Sequence, residues 1–186
     1  MKYPKNLRSL VLLLVVVVAV LSSCSKKREG KPKVLVFSKT AGYYHESIPQ
    51  GIAAIQKLGA ENGFDVDTTK NAALINEENL AQYATVIFLS TTGDVLNHYQ
   101  EADFERYIQS GGGFVGIHAA ADAEYDWNWY VQMIGASFKS HPANQEATLI
   151  INDKNHPSTN FLPATWTRTD EWYNFKNLNP DVKVLI

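Results

Sequence analysis

The sequence predicts an α/β fold, a parallel sheet flanked by helices, from three observations. Val34 to Phe37 and Val86 to Leu89 are short continuous apolar runs, as in strands covered on both faces, and Phe114 to Ile117 follows as a third. Helix-period segments with start and stop signals fall between these runs. Strand, helix, strand at this spacing requires right-handed crossovers, which make neighbouring strands parallel.

The elements follow in order. Ser47-x-x-Gln50 predicts a capping box with Pro49 in the first helical turn. Ile52, Ile55 and Leu58 then recur at helical spacing, and Gly63 is the stop. Phe64 to Val66 is the second strand. Asn97-x-x-Gln100 opens another helix, with Phe104, Tyr107 and Ile108 on its apolar stripe and Gly111-Gly112-Gly113 at its end. Beyond Trp129 the pattern weakens. Ala147 to Ile151 and Val182 to Ile186 read as strands, and Asn152 to Thr165 reads as loop. The chain stops inside an apolar run, which is expected of a domain truncated at its C-terminus.

Charge separates the N-terminus from the rest. The 186 residues carry a formal net charge of −2, but residues 1–33 hold eight of the 17 Lys and Arg and one acid, Glu29. The remainder has nine bases against 18 acids, which repels phosphate backbones and argues against nucleic acid as a partner. Lys2, Lys5 and Arg8 precede a twelve-residue apolar run, Leu10 to Leu21. That is too short for a membrane-spanning helix of about 20 residues, and it suits the apolar core of a secretory signal. Leu21-Ser22-Ser23-Cys24 resembles the lipobox of bacterial lipoproteins. The expected organisation is therefore a signal peptide over 1–23, a lipidated Cys24, a Lys-rich tether over 24–33 and the domain over 34–186. It implies a lipid-anchored protein of the bacterial cell envelope, periplasmic or outer-membrane. The one cysteine excludes an intrachain disulfide framework and a Cys-rich zinc module.

In open parallel sheets, ligands gather where the loops after the strands converge. Ser38 to Glu46 follows the first strand, Ser90 to Asp94 the Val86 strand, and His118 to Asp122 the Phe114 strand, with Asp126 to Trp129 beyond. Hydroxyls, carboxylates, two histidines and aromatic rings on one edge suit a polyhydroxylated ligand, although polar loops occur there in any doubly wound protein. Gly116-Ile117-His118-Ala119-Ala120 places one functional residue between small neighbours at a strand end, as a nucleophile elbow does. The position holds histidine, and no G-x-S-x-G occurs in the chain. With Cys24 outside the domain, thiol-dependent glutamine amidotransfer is excluded. His118 is then a general base, a ligand-binding donor, a metal ligand or a structural histidine.

Several phrases resemble the trehalose-utilisation (ThuA-like) domain family. They are Ser38 to His45, Phe88 to Asp94, Gly112 to Asp122, Lys139 to Pro142, His156 to Thr159 and Arg168 to Tyr173, so the similarity runs from Lys33 to the end. The resemblance implies a flavodoxin-like sheet of the class I glutamine-amidotransferase superfamily, with His118 where relatives carry the cysteine. It also implies a link to disaccharide metabolism of the trehalose or 3-keto-sugar type. In the family the domain continues past this point with another glycine- and histidine-containing segment.

The resulting expectation is an envelope-anchored enzyme, a hydrolase, lyase or isomerase acting on a glycoside or keto-sugar. His118 and Glu171 are the acid–base candidates. Thr92, Asp94, Asp122, His45 and His141 are substrate contacts, and Trp127, Trp129 and Trp172 offer rings for a sugar to stack on. The sequence assigns no definite cofactor. His45, His118, His141 and Glu171 could together hold a divalent metal, but no two of these histidines share a metal-motif spacing, so this is the lesser reading. His98 and His156 read as surface or capping residues. The rival is a non-catalytic sugar-binding or scaffold lipoprotein, marked by a His118 isolated from any second titratable group.

Overall fold

The computed structural model describes residues 30–186, so the signal segment, the lipobox and Cys24 lie outside the described residues. Four strands form the central sheet: β1 (Lys33–Phe37), β2 (Asp65–Thr69), β3 (Thr85–Leu89) and β5 (Gly113–Ile117). Their order is β2-β1-β3-β5 and every neighbouring pair is parallel, as the alternating pattern requires. Helices α1 (Ile48–Asn62), α2 (Glu77–Leu80) and α3 (His98–Gln109) fall between the strands. A fourth, α4 (Asn128–Ile134), follows the sheet. No helix among the described residues is long and apolar enough to cross a membrane.

The two predicted helix starts behave differently. Asn97 caps α3 in a complete capping box, its side chain accepting from the Tyr99 and Gln100 N–H groups while Gln100 reaches back. Ser47 makes no side-chain cap. Its own backbone is already in the right-handed helical region (φ −78°, ψ −8°) rather than the extended region typical of a capping residue. Pro49 does sit in the first turn, and Gly63 ends α1 in the left-handed conformation at φ 77°. The buried face of α1 is Ile48, Ile55 and Gly59, while Leu58, expected on it, is exposed.

Phe88 centres the core. Its ring lies 5.1 Å from Phe37, 5.3 Å from Phe104, 5.4 Å from Phe114 and 5.8 Å from Tyr130, in tilted or edge arrangements that favour aromatic pairs. The buried Tyr130 hydroxyl donates to the Ala120 carbonyl at 2.8 Å and so ties this core to the turn after β5. The C-terminal part adds β7 (Ser137–Ser140) paired antiparallel with β10 (Asn174–Lys176), and an antiparallel ladder of β8 (Gln145–Ile150) with β9 (Thr165–Asp170). Val182 to Ile186 is not a strand. Its recorded backbone links are from Val182 to Asn179 and from the Leu185 carbonyl to Asn152 and Asp153, which is a loop contact rather than a ladder.

Candidate functional site

The loops after β1, β3 and β5 are laced together at the carboxyl edge of the sheet. Thr92 and Gly93 form β4 and pair parallel with Asp122 and Ala123 of β6. On its other side Thr92 bridges Thr40, and its carbonyl accepts from Ala41 and Gly42 at 2.7 and 3.2 Å. The Thr92 hydroxyl donates to the Tyr43 carbonyl at 2.8 Å. Gly93 must be glycine, because its φ is 73° and an added Cβ would stand 3.0 Å from the Gly42 nitrogen. This lacing delivers His45 from the first loop to the side of His118 and Asp122 from the third.

His118 itself has φ 53°, a left-handed conformation uncommon outside glycine but several-fold enriched in histidine. It begins the 3-10 turn His118–Ala121, with Ala119 and Ala120 fully buried beneath it. At Gly116 a Cβ would meet Ile134 Cδ1 at 3.0 Å and Ala120 Cβ at 3.2 Å. The small residues around His118 therefore let the turn lie flat on the core, while the imidazole projects outward. The strain of such a backbone, on the order of 1–3 kcal/mol, is the kind that functional turns hold.

Beside the His118 imidazole, on the side of Glu171 and Tyr173, lies an open cleft of about 490 Å³ lined by Tyr43, His45, Asp122, Phe138, His141, Glu171 and Tyr173. His118 Nε2 lies 3.2 Å from Glu171 Oε2 and 3.2 Å from the Tyr173 hydroxyl. Glu171 Oε1 lies 2.9 Å from His141 Nε2, so one carboxylate bridges two histidines. The His45 ring stands edge-on to His118 at 4.6 Å. Burial, then the neighbouring His118, holds the His45 imidazole below its usual pKa and favours the neutral ring. Tyr173 is pushed well above an ordinary phenol by burial and by the charges of Glu171 and Asp122, so it remains a protonated donor. Tyr125 donates to Asp122 and fixes that carboxylate.

A model of the trehalose-utilisation family, ThuA, matches residues 33–186. The chain belongs to the ThuA family. Comparison with curated proteins returns no match. Among solved structures, a ThuA-like protein from Bacteroides uniformis is similar at TM-score 0.72 and 27% identity, over 88% of this chain and 70% of that one. The flavodoxin-like parallel sheet expected from the sequence agrees with that ThuA-like structure.

In this ThuA domain, His45, Asp122, His141 and Glu171 line the cleft and His118 bonds into it. The tryptophans do not line it. Trp127 and Trp129 stack on each other at 5.3 Å and pack beside Phe104, and the Trp172 indole donates to the Gln145 carbonyl at 2.7 Å. Asp94 and Trp127 instead line a separate hollow with His98, Glu101 and Glu124. Thr92 is buried and acts through the loop it clamps. Sequence reasoning missed Tyr173 and Phe138 as site residues. Period-2 alternation carried the signal for the first: in extended chain, Glu171 and Tyr173 share a side and Trp172 faces the other.

Proposed function

We propose that this ThuA domain acts on a disaccharide, glycoside or keto-sugar derivative bound in the His118 cleft. The observation that carries the reading is the 3.2 Å approach of His118 Nε2 to both Glu171 and Tyr173, since a catalytic histidine needs a second titratable group within hydrogen-bond reach. His118 exchanges a proton with the substrate, and Glu171 steadies the charge that develops on the imidazole. Asp122 and His45 bind hydroxyls, and the rings of Tyr43, Phe138 and Tyr173 supply the apolar flank on which a sugar ring stacks. With Glu171 engaged by two histidines, the pocket fits proton abstraction beside a carbonyl better than hydrolysis by a pair of free carboxylates. Incubation of the full-length protein with trehalose and with 3-keto-disaccharides, followed by reducing-sugar release, tests this. Release from the keto-sugar is expected, and no consumption of any carbohydrate offered contradicts it.

We also propose that the chain is a lipoprotein of the bacterial cell envelope, anchored through Cys24. The basic start, the apolar run from Leu10 to Leu21 and the Leu21 to Cys24 motif support this. Cys24→Ser should abolish incorporation of labelled fatty acid and release the protein from membranes. Unchanged labelling in that variant refutes the anchor.

A further inference from the structure

Glu171 is the point in the cleft where lone pairs gather. His141 Nδ1 lies 2.9 Å from the Pro142 carbonyl oxygen, which only accepts, so the ring hydrogen is placed on Nδ1. Its Nε2 faces Glu171 Oε1 at 2.9 Å. On the other side of the carboxylate His118 Nε2 faces Oε2 at 3.2 Å. His45 adds a buried Nδ1 that has no hydrogen-bond partner, an atom that histidine rarely leaves unmatched. One ligating atom each from His45, His118 and Glu171 lies within 4.8 Å of the other two.

We infer that this cluster binds a divalent first-row metal ion, with His45, His118 and Glu171 as ligands and His141 fixing the carboxylate through its far oxygen. Two imidazoles and one carboxylate select zinc and its neighbours over calcium and magnesium, which prefer all-oxygen sets. A tetrahedral ion with bonds of about 2.1 Å holds its ligand atoms about 3.4 Å apart, so small side-chain rotations close the set. His141, with one ring nitrogen 2.9 Å from a backbone carbonyl oxygen and the other 2.9 Å from the ligating carboxylate, has the position of an outer-shell orienting group. Three protein ligands leave a coordination position open to water or a substrate hydroxyl, the arrangement of catalytic rather than structural zinc. The inference rests on the cleft being the reacting site. His45, His118 and Glu171 would hold the ion, which would supply Lewis acidity to a substrate oxygen beside it.

The test uses the full-length chain stripped with chelator, then titrated calorimetrically with zinc chloride and separately with magnesium chloride. One zinc per chain and no measurable magnesium binding are expected. Loss of even an outer-shell partner costs about 10–100-fold in metal affinity, so Glu171→Gln and His45→Ala should each weaken zinc by at least tenfold, with circular dichroism unchanged. His156→Ala, outside the cleft, should bind as the parent does. No bound zinc, or equal affinity in the parent and both ligand variants, overturns the inference. Carbohydrate turnover in the chelated, zinc-free protein also overturns it while leaving the cleft's function intact. Stoichiometric zinc with no turnover of any sugar supports the metal site and removes the carbohydrate reading instead.

Discussion

The Tyr173 hydroxyl lies 3.2 Å from His118 Nε2, and the two rings pack at 4.8 Å between centroids. Tyr173→Phe keeps that ring contact and the neighbouring contact with Phe138 at 4.4 Å, and removes only the donor. A hydrogen bond of this kind contributes about 1–1.5 kcal/mol, so turnover should fall about tenfold while the melting temperature holds. Unchanged turnover in a folded variant would remove the hydroxyl from the mechanism.

Glu124 sets a pH dependence of stability. Its side chain is 3% exposed, and its Oε1 accepts from the Val95 and Leu96 N–H groups at 2.8 and 2.9 Å. Burial raises its pKa from 4.5 to about 7, against the opposing pull of those two donors, and Asp94 and Glu101 add to the rise. The native state therefore holds more protons than the unfolded chain between these values. Stability from this group is full below pH 4.5 and is lost as pH rises through about 7, by on the order of 3 kcal/mol. Glu124→Gln keeps an acceptor for both N–H groups and cannot ionise. Urea unfolding from pH 4.5 to 8 should show a flatter profile in the variant, with higher stability than the parent above pH 7. Parallel profiles would contradict the buried-carboxylate account.

Gly59 tests packing against propensity. Alanine in a helix interior gains about 1 kcal/mol over glycine. At Gly59 the new Cβ would stand 2.7 Å from the Phe64 carbonyl oxygen and 2.8 Å from Val66 Cγ2, and the backbone oxygen cannot swing aside. Overpacking costs typically about 1–3 kcal/mol, so Gly59→Ala should gain no stability and should lose up to about 2 kcal/mol in urea unfolding. A stabilised variant would mean that α1 and β2 sit further apart than the structure places them.

The sheet was legible because β1, β3 and β5 contain compact apolar runs and α1 and α3 have stop signals at Gly63 and Gly111, whereas β2 (Asp-Val-Asp-Thr-Thr) and the one-turn α2 carry no such pattern. Placement of His45, His118 and Asp122 followed from the rule that loops converge at strand ends. Long-range pairing was not legible. Glu171 and His141 reach the cleft through β7, β9 and β10, short antiparallel elements whose register no local pattern encodes. The tryptophans misled for a physical reason. Trp127 and Trp129 follow a polar loop in sequence, yet they fill the flank of the Phe104 core, where indole area is worth most. The Val182 to Ile186 run has strand composition and no partner strand to pair with among the described residues.

The claim on which the account turns is that His118 serves the reaction rather than the fold. Asparagine is the informative replacement, because it also tolerates the left-handed backbone at φ 53° and keeps a polar side chain while losing the imidazole. The measurement is carbohydrate turnover per folded molecule in full-length His118→Asn beside the parent, with thermal melting of both. The account predicts a loss of about 10²–10⁴-fold in turnover with a near-parental melting temperature. Near-parental turnover with a lowered melting temperature would contradict it and make His118 a structural residue.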